Sequence, residues 1–418
     1  MNVDSALKAL NREFDEVFIT RSVNSCDDYV LTKKEVLHSY SVEYYVRVLN
    51  FSNNQIKQKI LVTNDLDNLF QKLKNVEFSK ISGVWDKTNS VKKTEKNISK
   101  SLKNKVDELK NEFLPYLKKN KKLKNFEIRY YDYSSEIFHE NATYKYVANN
   151  LELTYDLVFK EAINSFFRSF TFLKIDSIIK KFEKDLKEVE IMAKKKKIDL
   201  EKVKYVKFSP NFVSMLMKYF FFDALTDVQI HKNLSFYKKD LEFDRSLHIF
   251  DEPYRYMNSM GYDFELTKIK KHNLLYKGKC SPLLTKFYYH SIQEKFGLRE
   301  KLYGHYLLGT YPRNIFMQSL PRKKDFYKFY NPRNLMEENT LVVDDVLGFH
   351  TANLKTGDFS LVVDKGYFEN TYTSGQIVGG NIVNLLKNLI ISKESEVMSD
   401  VKANALIFER DKLNLVQD

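Results

Sequence analysis

Eight histidines and two cysteines are this chain's whole supply of imidazole and thiolate. A hydrolytic zinc site needs such ligands converging on one metal, with a glutamate placed to activate the bound water. The sequence has one His-Glu dipeptide, His139-Glu140, and the following Asn141-Ala142-Thr143-Tyr144 supplies no second imidazole. None of the spacings HExxH, HExxxH or HxxEH occurs. His231 and His248 stand far apart, and His290, His305 and His350 can meet only through the fold. Covalent catalysis has no local signature either: there is no GxSxG elbow, Cys280 lies in no nucleophile motif, and Cys26 sits in a polar stretch that reads as a loop or strand edge. Walker-type and GxGxxG loops are absent, and 12 glycines in 418 residues leave few places for backbone to approach a phosphate. An enzyme built on a linear motif is therefore disfavoured.

Length suits two or three domains at ~100–200 residues each, and 14% aromatics is ample for a core. Two cysteines cannot build a disulfide framework or a four-thiolate metal site. Met1–Phe14 carries Asp4, Lys8, Arg12 and Glu13 with no apolar run, so no secretory leader is expected. The most apolar stretch, Phe212–Leu225, is shorter than the ~20 residues a bilayer needs and is broken by Lys218 and Asp223. The expectation is a cytoplasmic protein with no membrane contact.

The net charge is +13, with 56 Lys against 12 Arg, a bias that an AT-rich coding sequence would also give. Between Val91 and Lys124 stand 12 Lys and 4 acidic residues, more than half of the whole excess. Such a patch would attract phosphate backbones. It lacks Arg and has only Phe113 and Tyr116 for stacking, whereas single-strand binders interleave the two. A solvated helix face is the preferred reading, a basic nucleic-acid-associated protein the minor one.

Three regions emerge. Residues 1–80 read as an α+β unit: a helix over Asp4–Phe14, strands at Glu16–Arg21, Asp28–Thr32, Ser41–Leu49 and Lys59–Val62 with a turn at Asn53-Asn54, and a helix Leu66–Leu73 capped by Thr63-Asn64-Asp65. Residues 81–204 read as a helix over Ser99–Leu117, a Tyr-rich hairpin at Phe126–Tyr146, a strand at Asn150–Val158, and a charged helix Phe172–Lys197 that could lie outside the core at a partner surface. Residues 205–418 read as short β runs at Thr340–Val343, Phe359–Val363 and Tyr367–Thr373, with turns at Pro312, Pro332, Gly348, Lys355–Asp358, Lys365-Gly366 and Gly379-Gly380. The fold class is α+β: an N-terminal α/β meander unit with long helices and a mostly antiparallel β C-terminal domain.

The most distinctive stretch runs from Gly348-Phe349-His350-Thr351-Ala352-Asn353-Leu354-Lys355-Thr356-Gly357-Asp358-Phe359-Ser360 to Ile377-Val378-Gly379-Gly380-Asn381 and a following helix. Asn353, Thr356 and Asp358 are residues that satisfy turn backbone through their own side chains. The whole string resembles the C-terminal signature of the TldD/PmbA family. Upstream, Phe296-Gly297-Leu298-Arg299, Gly304-His305, Arg313-Asn314-Ile315 and Leu320-Pro321 look like further family blocks, as do Asp251-Glu252-Pro253 and Ser259–Thr267. Thr63-Asn64-Asp65-Leu66 also fits.

TldD-like members of that family carry HExxxH on a helix. The matching segment here reads Met215-Leu216-Met217-Lys218-Tyr219-Phe220-Phe221-Phe222-Asp223-Ala224, which offers no imidazole pair, while Ile230–Phe236 looks like the PmbA (TldE) branch. The resemblance thus implies a zinc-free, non-catalytic subunit that binds no cofactor and forms a homo- or hetero-dimer. A TldD-like partner would hold the zinc, and the pair would degrade or mature unfolded or leader peptides. Members are also known as modulators of DNA gyrase. His350, Asn353, Thr356, Gly357, Asp358 and Ser360 are the expected peptide-binding or signature residues, with no catalytic and no metal residue in this chain. The competing readings are an independent metal-dependent hydrolase assembled from His305, His350 and a carboxylate such as Asp358, and the nucleic-acid protein above. Several family glycines are replaced by bulky residues, with Leu266 where Glu-Gly is usual and Met317-Gln318-Ser319-Leu320 before Pro321. At a positive φ such an exchange means strain of ~1–2 kcal/mol or a rebuilt loop.

Overall fold

A computed structural model describes residues 1–30, 36–52, 55–82, 91–97, 103–251 and 339–417 apart from short breaks, together with 262, 266–268, 270–282 and 315–319. The chain forms two compact units, residues 1–193 with 257–269 and 289–291, and the remainder. The architecture is α+β with mainly antiparallel sheets.

Unit 1 is one eight-stranded sheet covered by helices. Helix α1 (Val3–Leu10) is capped by Asn2, whose side chain accepts from Ser5 N, and buries Ala6 and Leu10. Strands β1 (Glu16–Val30), β2 (Val36–Ser52), β3 (Gln55–Thr63), helix α2 (Leu69–Lys74), β4 (Ser79–Ser82), β5 (Val91–Asn97), helix α3 (Lys103–Glu108), β6 (Leu123–His139), β7 (Ala142–Phe159), β8 (Ala162–Phe170) and helix α4 (Ile175–Met192) follow. The order is β4-β3-β2-β1-β6-β7-β5, with β8 also on β7. Strands expected as separate pieces are continuous: Glu16–Arg21 and the described part of the second run, Asp28–Val30, belong to β1, and the second arm of the Tyr-rich hairpin runs on through Asn150–Val158 as β7. Both strands are paired along two edges, and that ladder carries the polar residues between the β-branched runs. Cys26 accordingly lies within a strand rather than a loop.

Helix α2 starts three residues later than expected. Its N-cap is Asn68, left-handed at φ 54° with no side-chain cap, because Thr63 and Asp65 are used in the preceding turn. Asp65 Oδ1 accepts from Asp67 N at 2.9 Å, and Lys72 Nζ donates to Asp65 and to Thr63 Oγ1. The turn at Asn53-Asn54 lies outside the described residues.

Helix α4 ends earlier than expected and packs one face on the core, with Lys180, Glu183, Lys184 and Lys187 exposed on the other. It ends at Met192, leaving the like-charged Lys194–Lys197 in exposed non-helical chain, where Lys196 N donates to Tyr372 O. Ile178, Phe182 and Val189 are buried. The Phe182 ring meets Tyr155 at 5.3 Å and Phe113 at 5.9 Å, within a cluster that includes Phe126, Leu153 and Phe166. In the basic segment, Lys110 lies 3.2 Å from the centroid of the Tyr29 ring and Lys122 pairs with Glu190, so two of its lysines serve the unit itself.

Unit 2 is built on a twelve-stranded sheet, order β12-β11-β10-β13-β19-β9-β14-β15-β17-β20, with β16 on β15 and β18 on β19. The strands are β9 (Tyr205–Phe208), β10 (Leu247–Asp251), β11 (His272–Tyr276), β12 (Lys279–Cys280), β13 (Ile315–Ser319), β14 (Thr340–Leu347), β15 (Asp358–Phe368), β16 (Thr371–Thr373), β17 (Gln376–Asn381), β18 (Ile390–Met398), β19 (Val401–Glu409) and β20 (Asn414–Gln417). Helix α5 (Pro210–Leu216), capped by Ser209, continues through a π turn at Met217–Phe221 into α6 (Phe222–Ala224), and α7 (Asp227–His231) follows. Phe212, Val213, Leu216, Met217, Phe220, Phe221, Phe222, Ala224 and Leu225 are all buried. No described helix is long and apolar enough to cross a membrane.

Two glycine sites expected as turns lie inside strands. At Gly366 in β15 a Cβ would stand 3.0 Å from Val363 Cγ1 and 3.2 Å from Val342 O, and at Gly380 in β17 it would stand 3.0 Å from Leu413 Cδ2. Both mark close packing rather than chain reversal. At position 266, where the resemblance places a glycine, Leu266 has a left-handed backbone, φ 56°, with its side chain buried. The Met317–Ser319 run forms β13 against β10, and Pro312, Pro332 and Phe296–Asn314 lie outside the described residues.

Phe182→Ala is expected to cost about 3–5 kcal/mol in denaturant unfolding, and Lys180→Ala on the exposed side of the same helix less than about 0.5. Leu266→Gly relieves about 1–2 kcal/mol of backbone strain but gives up a buried leucine at about 2–5, so a lowered unfolding midpoint is expected. A raised midpoint would mean that strain dominates there.

Candidate functional site

The signature residues form a corner between β14 and β15. Gly348 leaves β14 at φ 96° and starts a 3-10 turn, Phe349–Thr351. Thr351 Oγ1 lies 2.8 Å from Gly348 O and 2.9 Å from Ser360 O, pinning the turn to β15. Asn353 then closes the loop: its N donates to Asp358 O, its O accepts from Gly357 N, both at 2.8 Å, and its Oδ1 accepts from Lys355 N and Thr356 N. This is the Asx-type turn that the residue types predict. Gly357 sits at φ 86°, and a Cβ there would stand 3.1 Å from Val383 Cγ2.

Asn381, at the end of β17, belongs to this corner, and the sequence reading leaves it out of the site. Its Nδ2 donates to Thr356 O at 2.9 Å and to Asp358 Oδ1 at 2.7 Å. Its Oδ1 accepts from Asn384 N, capping the short helix α8 (Ile382–Leu385), and Ile382 N donates to Gly357 O. The signal was present: an Asn directly before an apolar helical run is an N-cap pattern.

Hydrogen bonds from the Thr356 hydroxyl and then from Asn381 hold the Asp358 carboxyl below the usual carboxylate range, so the exposed corner keeps a fixed negative charge. Beside it a cleft of about 360 Å³ is lined by Asp358, Asn381 and Asn384 on one side and Asp411, Lys412 and Asn414 on the other. Thus Asn353, Thr356, Gly357 and Asp358 meet in one hydrogen-bonded corner. His350 is exposed on the 3-10 turn, and Ser360 points outward from β15 and joins the corner through its carbonyl.

The floor is aromatic. Phe349 rests on Phe212 and Tyr219 at 6.3 and 5.8 Å, and Phe359 meets Phe220 edge-on at 6.4 Å. Phe236 N donates to Leu354 O at 2.7 Å, so the segment after α7 braces the loop from behind. The residues of α5–α6 do not suit a zinc ion. Their one acid, Asp223, has its carboxyl raised by burial, with Gln229 bonded to it, and no imidazole stands on these turns. Among the described residues no group of three or more His, Cys, Asp or Glu could hold a metal. His290 and His305 lie outside the described residues. Burial pushes the Cys280 thiol well above its usual range, away from reactive thiolate. The corner supplies fixed hydrogen-bonding groups and one charge, which suits recognition rather than bond-breaking.

Asn381→Ala, which removes both the cap and the tie, is expected to cost about 1–2 kcal/mol in urea unfolding. Asp358→Ala probes the charge. A carboxyl with a depressed folded pKa adds stability above its unfolded value of about 4, and that contribution disappears as pH falls through the folded value. The gap between wild type and Asp358→Ala is therefore expected to hold steady at neutral pH and narrow below about pH 4; a gap that widens in acid would contradict the assignment.

Residues 202–410 match the family described as the PmbA/TldA metallopeptidase C-terminal domain. No curated protein matches the chain. Among solved structures, a candidate modulator of DNA gyrase from Bacteroides thetaiotaomicron superposes with a TM-score of 0.70 at 15% identity, over 99% of this chain and 98% of that one. A second candidate gyrase modulator, from Thermotoga maritima, gives 0.68 at 17% identity over 99% and 98%. TldE from Thermococcus kodakarensis gives 0.67 at 13% identity over 99% of both chains. At such identities the structures establish a shared fold, and the sequence match establishes descent: this chain belongs to the PmbA/TldD metallopeptidase family.

Proposed function

We propose that the chain is a PmbA/TldE-like, zinc-free subunit of a two-subunit metallopeptidase acting in the cytoplasm. A TldD-like companion holds the zinc, and unfolded or leader-type peptides are the substrate. One observation carries the reading. The segment that by resemblance matches the HExxxH helix of the catalytic branch buries Phe212, Phe220, Phe221 and Phe222, and the signature corner rests on it. Its side chains fill the core where ligands would have to stand. Likeness of fold to a TldE supports the same branch.

In this role the chain binds and orients, and the companion cleaves. An extended peptide adds to a sheet edge in unit 2, where backbone hydrogen bonds give affinity with little demand on sequence. The corner residues Asn353, Thr356, Gly357, Asp358 and Asn381 keep a rigid shape beside it, and His350 and Ser360 offer exposed polar groups.

Metal analysis and peptide digestion on the purified chain, alone and mixed with an HExxxH-bearing companion, test this reading. The expected result is substoichiometric zinc and no cleavage of a denatured peptide by the chain alone, with both acquired in the mixture. One tightly held zinc per chain, with unaided cleavage, would refute it.

A further inference from the structure

Strands β14, β15, β17 and β20 are neighbours in the unit 2 sheet. Their registers set Leu347 opposite Val362, Val362 opposite Ile377, and Ile377 opposite Val416. Directly opposed residues share a face, so these four aliphatic side chains form one row, about 14 Å long at ~4.8 Å per strand. The row lies outward: Leu347 is 57% exposed, Val416 54% and Val362 37%, while the alternating Val346, Leu361, Val363 and Val378 are buried. A solvated sheet face is normally polar at outward positions. Asp358, Ser360 and Asp364 of β15 follow that rule, and the row breaks it.

The surroundings are acidic. Asp345 and Asp364 stand on one side of the row and Asp358 beyond Ser360 on the other, while Lys365 is engaged with Asp344 at 2.8 Å. Burial raises the Asp345 carboxyl, and the charges of Asp344 and Asp364 add to that shift. In a chain of net charge +13 this face carries the opposite sign.

We propose that this face is where the chain docks on its companion subunit, through a companion surface that carries an apolar stripe flanked by Lys or Arg. The proposal rests on the subunit reading above. An apolar strip inside a charged rim has the anatomy of a specific interface, and opposite charge steers the encounter. A second copy of this chain is a poor occupant, because a two-fold contact of the face with itself sets aspartates against aspartates. Ser360 lies one step along β15 from Val362, so the docked companion borders the signature corner.

The test is binding of the purified full chain to the HExxxH-bearing companion encoded by the same organism, at low and high salt. Leu347→Lys with Val416→Lys changes two positions that are more than half exposed, so folding, checked by circular dichroism and Tm, stays intact. The pair is expected to weaken binding at least about tenfold, on the scale of losing interface anchors. Asp364→Asn is expected to weaken binding at low salt and to flatten its salt dependence. If the folded double variant binds like wild type, the docking face is wrong and the subunit reading stands. If wild type does not bind the companion at all, both fall. If wild type instead self-associates and the double variant does not, the face belongs to a second copy and the proposal is overturned.

Discussion

The carboxamide of Asn381 is the tie on which the signature region depends. Its two ends do different work at once: the oxygen caps helix α8, and the amide nitrogen holds Thr356 O and the Asp358 carboxylate. Aspartate at this position would keep the cap but lose both donated bonds and oppose Asp358; serine would be too short to reach both sides. The strand end, the loop and the helix start are therefore one rigid object, and the hydrogen bonds from Thr356 and then from Asn381 lower the Asp358 carboxyl together.

That object needs a floor, and the floor fills the turns from Pro210 to Ala224 with apolar side chains. Inward positions of the helix from Pro210 to Ala224 are taken by aromatics that also contact Phe349 and Phe359. Replacing such side chains by imidazoles would bury polar groups in an apolar core and open cavities, each at several kcal/mol. Support for the corner and a metal site on the same turns exclude each other physically, and this sequence has taken the first. Unit 1 treats polarity differently. Tyr155 donates to Asp185 of helix α4, and His139 lies 3.1 Å from Glu16 within the sheet, so these four buried polar groups come as two pairs.

Much of this was legible in the sequence, for identifiable reasons. The corner could be read because the Asn353 and Thr356 side chains accept from backbone within three residues, and local chemistry follows local spacing, whereas the Asp358 carboxylate accepts instead from Asn381, 23 residues on. Strand ends and the reach of α4 could not, since neighbouring strands and the Phe113–Phe126–Tyr155 cluster decide them from far along the chain. Gly366 and Gly380 look like turn residues on paper; only the crowding at their α-carbons reveals strand interiors. Asn381 was visible as a cap but not as a tie, because Thr356 lies twenty-five residues upstream.

Leu266 shows how packing can hold a backbone conformation that the residue itself disfavours. Its left-handed conformation is one that glycine adopts freely, yet the leucine side chain is now buried in the same place. Once neighbours have closed around such a side chain, going back to glycine opens a hole, and the contortion persists like a ratchet tooth. Torsion and packing at Leu266 thus lock each other: neither can relax without the other giving way.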